Sequence, residues 1–319
     1  MPAPITTDVH SAAAVIRRGG LAAFATETVY GLGANALDAT AAARIFEAKQ
    51  RPAFDPLIVH IADRSMLDAI VRSIPVAASK LMDLFWPGPL TVVLPKRPCV
   101  PDLVTSGLDT VGVRLPAHDQ ARELIRLAGC PVAAPSANLF GHVSPTTAQH
   151  VAEQLGDRID IILDGGSCRV GVESTVIEFC DAQPRLLRPG GTTLEAIEHA
   201  IGPVLVITSS RDGEAAPGPG MLERHYSPRT PLRVWLPGQA LPAGKVGLLS
   251  WRITHPDHRF ETRVDLSPNG NLVEAASRLF AAMRELDSAG LDAICATPFP
   301  EEGLGRAIND RLRRAAAGH

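Results

Sequence analysis

The length, composition and charge of the chain limit the classes of protein to which it can belong. It has 319 residues, 45% of them hydrophobic and 20% charged, which is typical of a globular protein with one large or two ordinary domains. Its formal net charge of −3 argues against a general nucleic-acid binder, which usually carries an excess of basic residues.

The cysteines and the apolar runs give information about the cellular compartment. Five cysteines, none of them at C-x-x-C spacing, argue against a zinc knuckle and against a disulfide framework. No stretch approaches about 18 uninterrupted apolar residues, and the N-terminus lacks the apolar core of a signal peptide. We therefore expect a cytoplasmic protein without a membrane span.

Short apolar runs alternate with helical patterns over the first two hundred residues. In chain order they predict a helix capped by Thr7 or Asp8, then elements at 21–25 (strand), 38–49 (helix), 56–62 (strand), 64–72 and 75–85 (helices), 90–95 and 110–116 (strands), and 119–129 (helix). Strands at 131–137, 159–166, 174–179 and 185–191 follow, with helices from Thr146 and over 193–201. This alternation predicts an α/β domain with a large, mixed sheet over residues 1–205.

A change in composition marks a linker, which we assign to residues 206–230. Ser, Gly, Pro and charged residues dominate there, and the run 217–220 is Pro-Gly-Pro-Gly. Beyond it, strands at 232–237, 245–251, 262–266 and 292–297, an amphipathic helix over 271–288 and an Arg-rich final helix predict a second, smaller α/β domain over residues 231–319.

Cations and hydroxyls cluster at predicted element ends in the first domain. Gly31 and Gly33 follow a strand and suit the close approach of a ligand to the backbone, although a helix capping box would also explain the polar residues before them. The cations are Lys49, Arg51, Arg114 and Arg188, and the hydroxyls are those of Thr28, Thr110, Ser136, Ser144 and Ser174. This combination suits a small ligand that carries phosphates and carboxylates.

Two of these interpretations have plain structural alternatives. Lys49 ends a predicted helix, where a cation also stabilises the helix dipole, and His60 is typical of a satisfied histidine within a strand. The chain contains no Walker A motif and no complete G-x-G-x-x-G, so neither standard nucleotide loop is supported. The residues alone therefore predict a pocket for a polyanion, without specifying its chemistry.

In the same stretches the sequence resembles the YrdC-type threonylcarbamoyl-AMP synthases. The shared motifs occur in the family's order and are TETVYGLG (26–33), K-x-R-P (49–52), PLIVH (56–60), WPGPLT (86–91), VRLP (113–116), APSAN-x-x-G-x-x-SPT (134–146), ESTV (173–176) and LRPG (187–190). HYSP (225–228) and the domain after it resemble the long, two-domain form of the family. The resemblance implies a YrdC-like large, mixed, twisted sheet and a smaller, Rossmann-like C-terminal domain.

The resemblance also implies an activity. Members of the family condense L-threonine, bicarbonate and ATP into L-threonylcarbamoyl-AMP and release pyrophosphate, as a nucleotidyltransferase step. Downstream tRNA threonylcarbamoyltransferase proteins use the product for the t6A37 modification of tRNA, so this chain need not bind tRNA itself. Mg²⁺ is expected to arrive with ATP, without protein ligands.

Residue roles carried over from the family fall into two groups. Contacts with threonine or its carbamate are implied for Thr28, His60, Arg114, Ala134 and Ser174. Contacts with ATP are implied for Arg51, Asp55, Thr110, Ser136, Ser144, Arg188 and Tyr226, with Lys49 and Arg51 acting on the phosphates. The linker is expected to fold over this pocket as a lid, with the Pro-Gly run as its hinge.

One departure and three alternatives stay open. The family usually has Asn where this chain has Asp55, and an ionised Asp repels phosphate unless Mg²⁺ or a hydroxyl lies between them.

A YrdC-like O-carbamoyltransferase is the nearest rival, although such enzymes usually carry extra domains with Cys clusters. An RNA-binding module would use the cationic cleft as a groove, against which stands the 4% content of aromatic residues. A C-terminal domain that serves only interaction or regulation is the third.

Overall fold

The described chain contains two β-sheets. The computed structural model describes residues 2–179, 183–207, 225–236, 238–252 and 259–318. The strands of the first sheet are β1 (Ile5–Thr6), β2 (Ala22–Phe24), β3 (Gly31–Asn35), β4 (Ile58–His60), β5 (Leu90–Pro95), β6 (Thr110–Arg114), β7 (Val132–Ala133), β8 (Ile161–Leu163), β9 (Thr175–Glu178), β10 (Arg185–Arg188) and β11 (Leu205–Val206). Their order is β1-β8-β2-β3-β7-β4-β6-β5-β9-β10-β11, with both parallel and antiparallel neighbours.

The second sheet is smaller and wholly parallel among the residues described. Its strands are β12 (Leu232–Val234), β13 (Val246–Ser250), β14 (Thr262–Asp265) and β15 (Ala293–Ala296), in the order β12-β15-β13-β14. A large mixed sheet followed by a small parallel one confirms the predicted α/β class. The boundaries 1–205, 206–230 and 231–319 stay a prediction.

The helices begin where the sequence places capping residues. Asp8 accepts hydrogen bonds from two backbone amides of the first helix, and Asp38 does the same for the second, as side-chain caps do. The helices are α1 (Val9–Arg17), α2 (Ala39–Lys49), α3 (Leu67–Ile70), α4 (Val76–Phe85), α5 (Asp102–Thr105), α6 (Asp119–Ala128), α7 (Ala148–Leu155), α8 (Leu194–Ile201), α9 (Leu272–Ser288) and α10 (Gly303–Ala316). None of the helices described is long and apolar enough to cross a membrane.

The stretch 25–35 differs from its predicted form. Gly31 and Gly33 belong to β3, which pairs antiparallel with β2, so they do not form a phosphate loop. A Cβ at Gly33 would lie 2.7 Å from Cε1 of Phe24 and 2.8 Å from Cγ1 of Val132, so glycine is required there by packing. The Thr26 hydroxyl donates to the Val29 carbonyl in a turn that leads into β3. The capping-box explanation is therefore wrong, because a strand and not a helix follows.

The two units share a hydrophobic core. Val29, Val143 and Val172 of the first unit belong to the same buried cluster as Tyr226 and Phe280, and Phe280 lies on α9 of the second unit. Gly171, at a φ of +74°, approaches α9 so closely that a Cβ would lie 2.4 Å from the Ala276 carbonyl oxygen. This close packing holds the second unit in place against the first.

Replacing Gly33 with alanine tests the packing between β2, β3 and β7. We expect Gly33→Ala to lower the free energy of unfolding by about 1–3 kcal/mol, because the added methyl group displaces Phe24 and Val132. Gly112→Ala in β6 is the comparison variant, and we expect it to cost less, because the shortest contact of its Cβ, with Cγ2 of Thr91, would be 3.2 Å. Urea unfolding monitored by circular dichroism measures the free energy of unfolding of both variants. Equal urea midpoints for Gly33→Ala and Gly112→Ala would contradict the packing role of Gly33.

Candidate functional site

A cavity with about 540 Å³ of empty space, which includes open solvent at its mouth, is lined by residues of the first unit and by two residues of the predicted linker. Most of the predicted site residues line it, namely Thr28, Arg51, His60, Arg114, Ala134, Ser136, Ser174, Arg188 and Tyr226. The sheet thus collects on one cavity side chains that are widely separated in sequence.

Arg114 stands at the end of β6, directly beside His60 at the end of β4. Its Nη1 donates to the Thr28 hydroxyl at 2.9 Å, and its Nη2 lies 2.7 Å from Oε1 of Glu27. Both ionic side chains are almost wholly buried, so the pair fixes the orientation of the guanidinium. A guanidinium held in this way can receive a carboxylate with parallel hydrogen bonds.

His60 contributes a neutral imidazole to the cavity wall. Burial, with the charge of Arg114 as a second cause, lowers the pKa of His60 to about 3. Its ring meets the Phe24 ring edge-on, with the centroids 6.2 Å apart. Near neutral pH this side chain therefore offers one hydrogen-bond donor and one acceptor, and no positive charge.

Arg188 is placed by the antiparallel pairing of β10 with β9. Its Nη2 donates to the Ser174 carbonyl at 2.8 Å and to the Ser174 hydroxyl at 3.2 Å. That hydroxyl also shares a hydrogen bond of 2.8 Å with the Thr91 hydroxyl on β5. Arg188 and Ser174 consequently form one rigid part of the wall.

Arg51 is held by the loop that follows α2. Its Nε donates to the Asp55 carbonyl at 3.1 Å, and its Nη2 donates to the Pro56 carbonyl at 3.0 Å. The Asp55 carboxylate lies 2.8 Å from the same Nη2 and is completely buried. Asp55 is outside the lining of the cavity, where it offsets part of the Arg51 charge from within the protein.

Lys49 supports the cavity wall from behind. It is 1% exposed, and its Nζ donates to the carbonyls of Ser136 and Asn138 in the segment after β7. Burial, followed by the charge of Arg51, lowers the pKa of this amine well below its usual value. The geometry gives Lys49 a supporting role, and its predicted place beside phosphates stays a prediction.

Two further predicted residues lie off the cavity. Thr110 begins β6, at the opposite end from Arg114, and lines a separate small cavity with Pro56 and Leu57. Ser144 is completely buried, and its hydroxyl donates to Oε1 of Glu173 at 2.6 Å.

Glu173 is a wall residue that the sequence analysis did not single out. It lines the cavity, and its Oε2 accepts a hydrogen bond of 2.7 Å from Nε of Arg311 on α10. The only local signal is its position before Ser174 in the ESTV motif. Arg311 has no such signal, because an arginine in an Arg-rich terminal helix is expected to face water.

The C-terminal part of the predicted linker contacts the cavity directly. His225 and Tyr226 line it, with ring centroids 4.1 Å apart, and the Tyr226 ring stacks on Phe280 at 5.7 Å. Tyr226 adopts a φ of +65°, in the left-handed region. The predicted hinge 217–220 lies outside the described residues.

The donor set for a metal ion is sparse. Over the described ranges, no group of three or more His, Cys, Asp or Glu side chains could hold a metal. Glu173 is the one carboxylate on the cavity lining described, and both of its oxygens accept hydrogen bonds from protein groups. A magnesium ion here would need phosphate oxygens and water as ligands, a set that Mg²⁺ commonly uses.

Comparisons with known proteins point to one family. A family model described as telomere recombination (Sua5/YciO/YrdC) matches residues 14–190, and a model described as the C-terminal domain of threonylcarbamoyl-AMP synthase matches residues 192–317. The chain is 46% identical to the Pyrococcus abyssi protein named threonylcarbamoyl-AMP synthase, over 97% of this chain and 94% of that one. A Bacillus subtilis protein of the same name is 44% identical, over 97% and 93%. The crystal structure of P. abyssi Sua5 complexed with L-threonine has a TM-score of 0.91 and 42% identity, covering 100% of this chain and 98% of that one.

The neutrality of His60 can be tested by its titration. We expect its imidazole to stay neutral in the folded protein from about pH 5 to about pH 8, whereas in the unfolded chain a histidine titrates near pH 6.5. Because only the unfolded chain then binds the proton, His60 lowers stability as pH falls below about 6.5 and has no such effect above it. NMR of ¹³C-labelled histidines, with and without urea, measures the titration of His60 in the unfolded and the folded chain.

His60→Gln assigns the NMR signal. A His60 signal that titrates between about pH 5 and pH 8 in the folded protein would contradict the buried, neutral imidazole.

Proposed function

The chain belongs to the Sua5/YciO/YrdC family, and from that premise we propose that it condenses L-threonine, bicarbonate and ATP into L-threonylcarbamoyl-AMP with release of pyrophosphate. The observation that carries the proposal is a single cavity lined by three buried arginines, Arg51, Arg114 and Arg188. Three fixed cations suit a reaction that brings a carboxylate, a carbamate and a triphosphate together. Full-length similarity to proteins named threonylcarbamoyl-AMP synthase supports it.

The reaction has two bond-forming steps. Bicarbonate takes up a proton and loses water to give CO₂. The neutral threonine amine then attacks the carbon of CO₂, forms an N–C bond and loses a proton to solvent, giving a carbamate. A carbamate oxygen then attacks the α-phosphorus of ATP, and the bond from that phosphorus to the oxygen bridging to the β-phosphate breaks. Pyrophosphate leaves with the electron pair of that bond. No covalent enzyme intermediate is needed, so the cavity has to position and stabilise.

We assign the threonine end of the cavity to the wall built by Arg114. Its guanidinium would bind the threonine carboxylate, while Thr28 and the neutral His60 would offer hydrogen bonds, with Ala134 and Ser174 completing the wall. The neutral imidazole can accept a hydrogen bond from the threonine amine or hydroxyl, which an imidazolium could not do. A relative with 42% identity has been solved in complex with L-threonine, which supports this substrate.

We assign the phosphates to Arg51 and Arg188, whose guanidiniums are held in place by protein carbonyls. Ser136 and Tyr226, which line the cavity, would contact the nucleotide, and Lys49 would maintain the Ser136 segment from behind. Ser144 would act through Glu173, and a contact of Thr110 with ATP stays a prediction, because Thr110 lies off this cavity. Mg²⁺ bound to ATP would reduce the charge of the triphosphate. The structure places Asp55 against Arg51, so its proposed effect on ATP is indirect.

We also propose that the linker 206–230 acts as a lid. The described residues His225 and Tyr226 already lie against the cavity, and the Ser227 amide donates to the Gly141 carbonyl at 2.7 Å. A closed cavity would keep water from the carbamate and from the mixed anhydride, both of which hydrolyse. Beyond the site, we propose a cytoplasmic enzyme whose product feeds tRNA threonylcarbamoyltransferase proteins in t6A synthesis.

The proposal is tested by incubating the pure protein with ATP, Mg²⁺, L-threonine and bicarbonate. We expect pyrophosphate release that requires threonine, and Arg114→Met should reduce kcat/KM by about 100-fold because a positioned cation is lost. Arg126→Met, which removes an exposed arginine paired with Glu123 on α6, is the control and should leave the rate unchanged.

Two outcomes of further assays would favour other functions, and a third outcome would contradict the synthase. Pyrophosphate release that needs carbamoyl phosphate as substrate and does not need threonine would favour the O-carbamoyltransferase. A gel shift with tRNA that weakens steeply with salt, in the absence of synthase activity, would favour the RNA-binding module. Pyrophosphate release with no requirement for threonine would also contradict the synthase.

The role of Asp55 gives a second prediction. We expect Asp55→Asn to bind ATP roughly threefold to tenfold more tightly, because the change removes a negative charge and frees Arg51 for phosphate. Asp83→Asn is the control of equal charge change, since Asp83 pairs with Arg64 at the surface. Isothermal titration calorimetry measures both variants, and identical affinities would show that Asp55 has no influence on the nucleotide.

A further inference from the structure

Helix α10 of the second unit presents a charged face to the first unit. Asp310, Arg311 and Arg314 are all buried on it, and the Arg311 side chain is 0% exposed. The Arg311 Nε donates to Oε2 of Glu173 at 2.7 Å, across a separation of 138 residues. A cation with no exposure needs this carboxylate or another acceptor.

The contact continues from Glu173 into the first unit. Its Oε1 accepts a hydrogen bond of 2.6 Å from the Ser144 hydroxyl, so both carboxylate oxygens are engaged. Glu173 itself lines the cavity, whereas Arg311 and Ser144 lie behind it. Arg311 can therefore act on a ligand only through Glu173 or through another wall residue.

Arg311 also lies next to the segment that closes the cavity. Its guanidinium carbon is 5.1 Å from the centroid of the Tyr226 ring, and its Nη1 pairs with Asp310 at 2.6 Å. Burial lowers the pKa of Arg311, but Tyr226, Glu173 and Asp310 raise it, and the net shift is upward. The side chain is thus a permanent cation between the second unit and the cavity wall.

We propose that Arg311 is a positioning residue for ATP, which compensates the charge of Glu173 and holds this carboxylate against Ser144. The inference deepens the proposed function and rests on it. Without Arg311, an uncompensated carboxylate would face a cavity that has to receive a triphosphate, and like charges repel strongly where water is scarce. The nucleotide end of the site is then incomplete in the first unit alone.

Simple docking of the two units is the competing explanation, and Arg306 provides the matched control. Arg306 lies on the same helix and also forms an ion pair across the units, with its Nη2 3.0 Å from Oε1 of Glu195. Neither partner lines the cavity, and both are partly exposed. Loss of Arg306 therefore removes an ion pair between the units without changing the charge on the cavity wall.

The experiment measures binding of the non-hydrolysable analogue α,β-methylene-ATP with Mg²⁺ to the full chain by calorimetry. We expect Arg311→Met to raise its Kd at least about tenfold, because a charge at the wall loses its partner, and Arg306→Met to leave it within about twofold. L-threonine binding should change little in either variant, since the Arg114 wall is untouched. The double variant Arg311→Met/Glu173→Gln should recover most of the lost affinity.

Glu173→Gln alone keeps the test decisive if Arg311→Met does not fold. Removing the carboxylate charge should leave binding of the analogue unchanged or tighter, so a folded Glu173→Gln protein that has lost it would overturn the proposal. Equal effects of Arg311→Met and Arg306→Met, or a double variant no better than Arg311→Met, would reduce Arg311 to a docking residue. A wild-type protein that binds the analogue but forms no threonylcarbamoyl-AMP would contradict only the proposed function.

Discussion

The burial of several arginines around one cavity is the constraint on which the rest of the site depends. A guanidinium removed from water is costly unless protein acceptors replace the lost hydration. Each arginine meets this requirement in its own way, through loop carbonyls and Asp55 for Arg51, Glu27 and Thr28 for Arg114, and Ser174 for Arg188. These acceptors fix the cations before any ligand arrives, so the cavity is organised in advance for anions.

The same constraint explains why the second unit matters to the first. Arg311 pairs with Asp310 on its own helix, and docking supplies its second carboxylate, Glu173, from the other unit. The shared hydrophobic core and the close approach of Gly171 to α9 hold the units together while this ion pair forms. Docking therefore supplies electrostatic compensation at the wall as well as buried apolar area.

Particular elements show how far local sequence patterns reach. Asp8 and Asp38 start their helices as expected, because a side-chain cap acts within three residues of its own position. Strand β3 was missed because Gly-Leu-Gly-Ala-Asn has low strand propensity, and its pairing with β2 and β7 outweighs that propensity. The Lys49 amine was expected beside phosphates, yet it donates to carbonyls of the segment after β7, which no pattern around residue 49 encodes.

The sequence by itself determined the α/β class, the order of the elements and most of the residues that line the cavity. Those features follow from local periodicity, capping and polar residues at strand ends, together with motifs shared with a known family. Only the tertiary structure decided that Asp55 pairs with Arg51, that Ser144 lies behind Glu173 and that Arg311 pairs with Glu173 from the second unit. The partner of a buried charge is chosen by strand register and by the docking of the two units, and these depend on the whole chain.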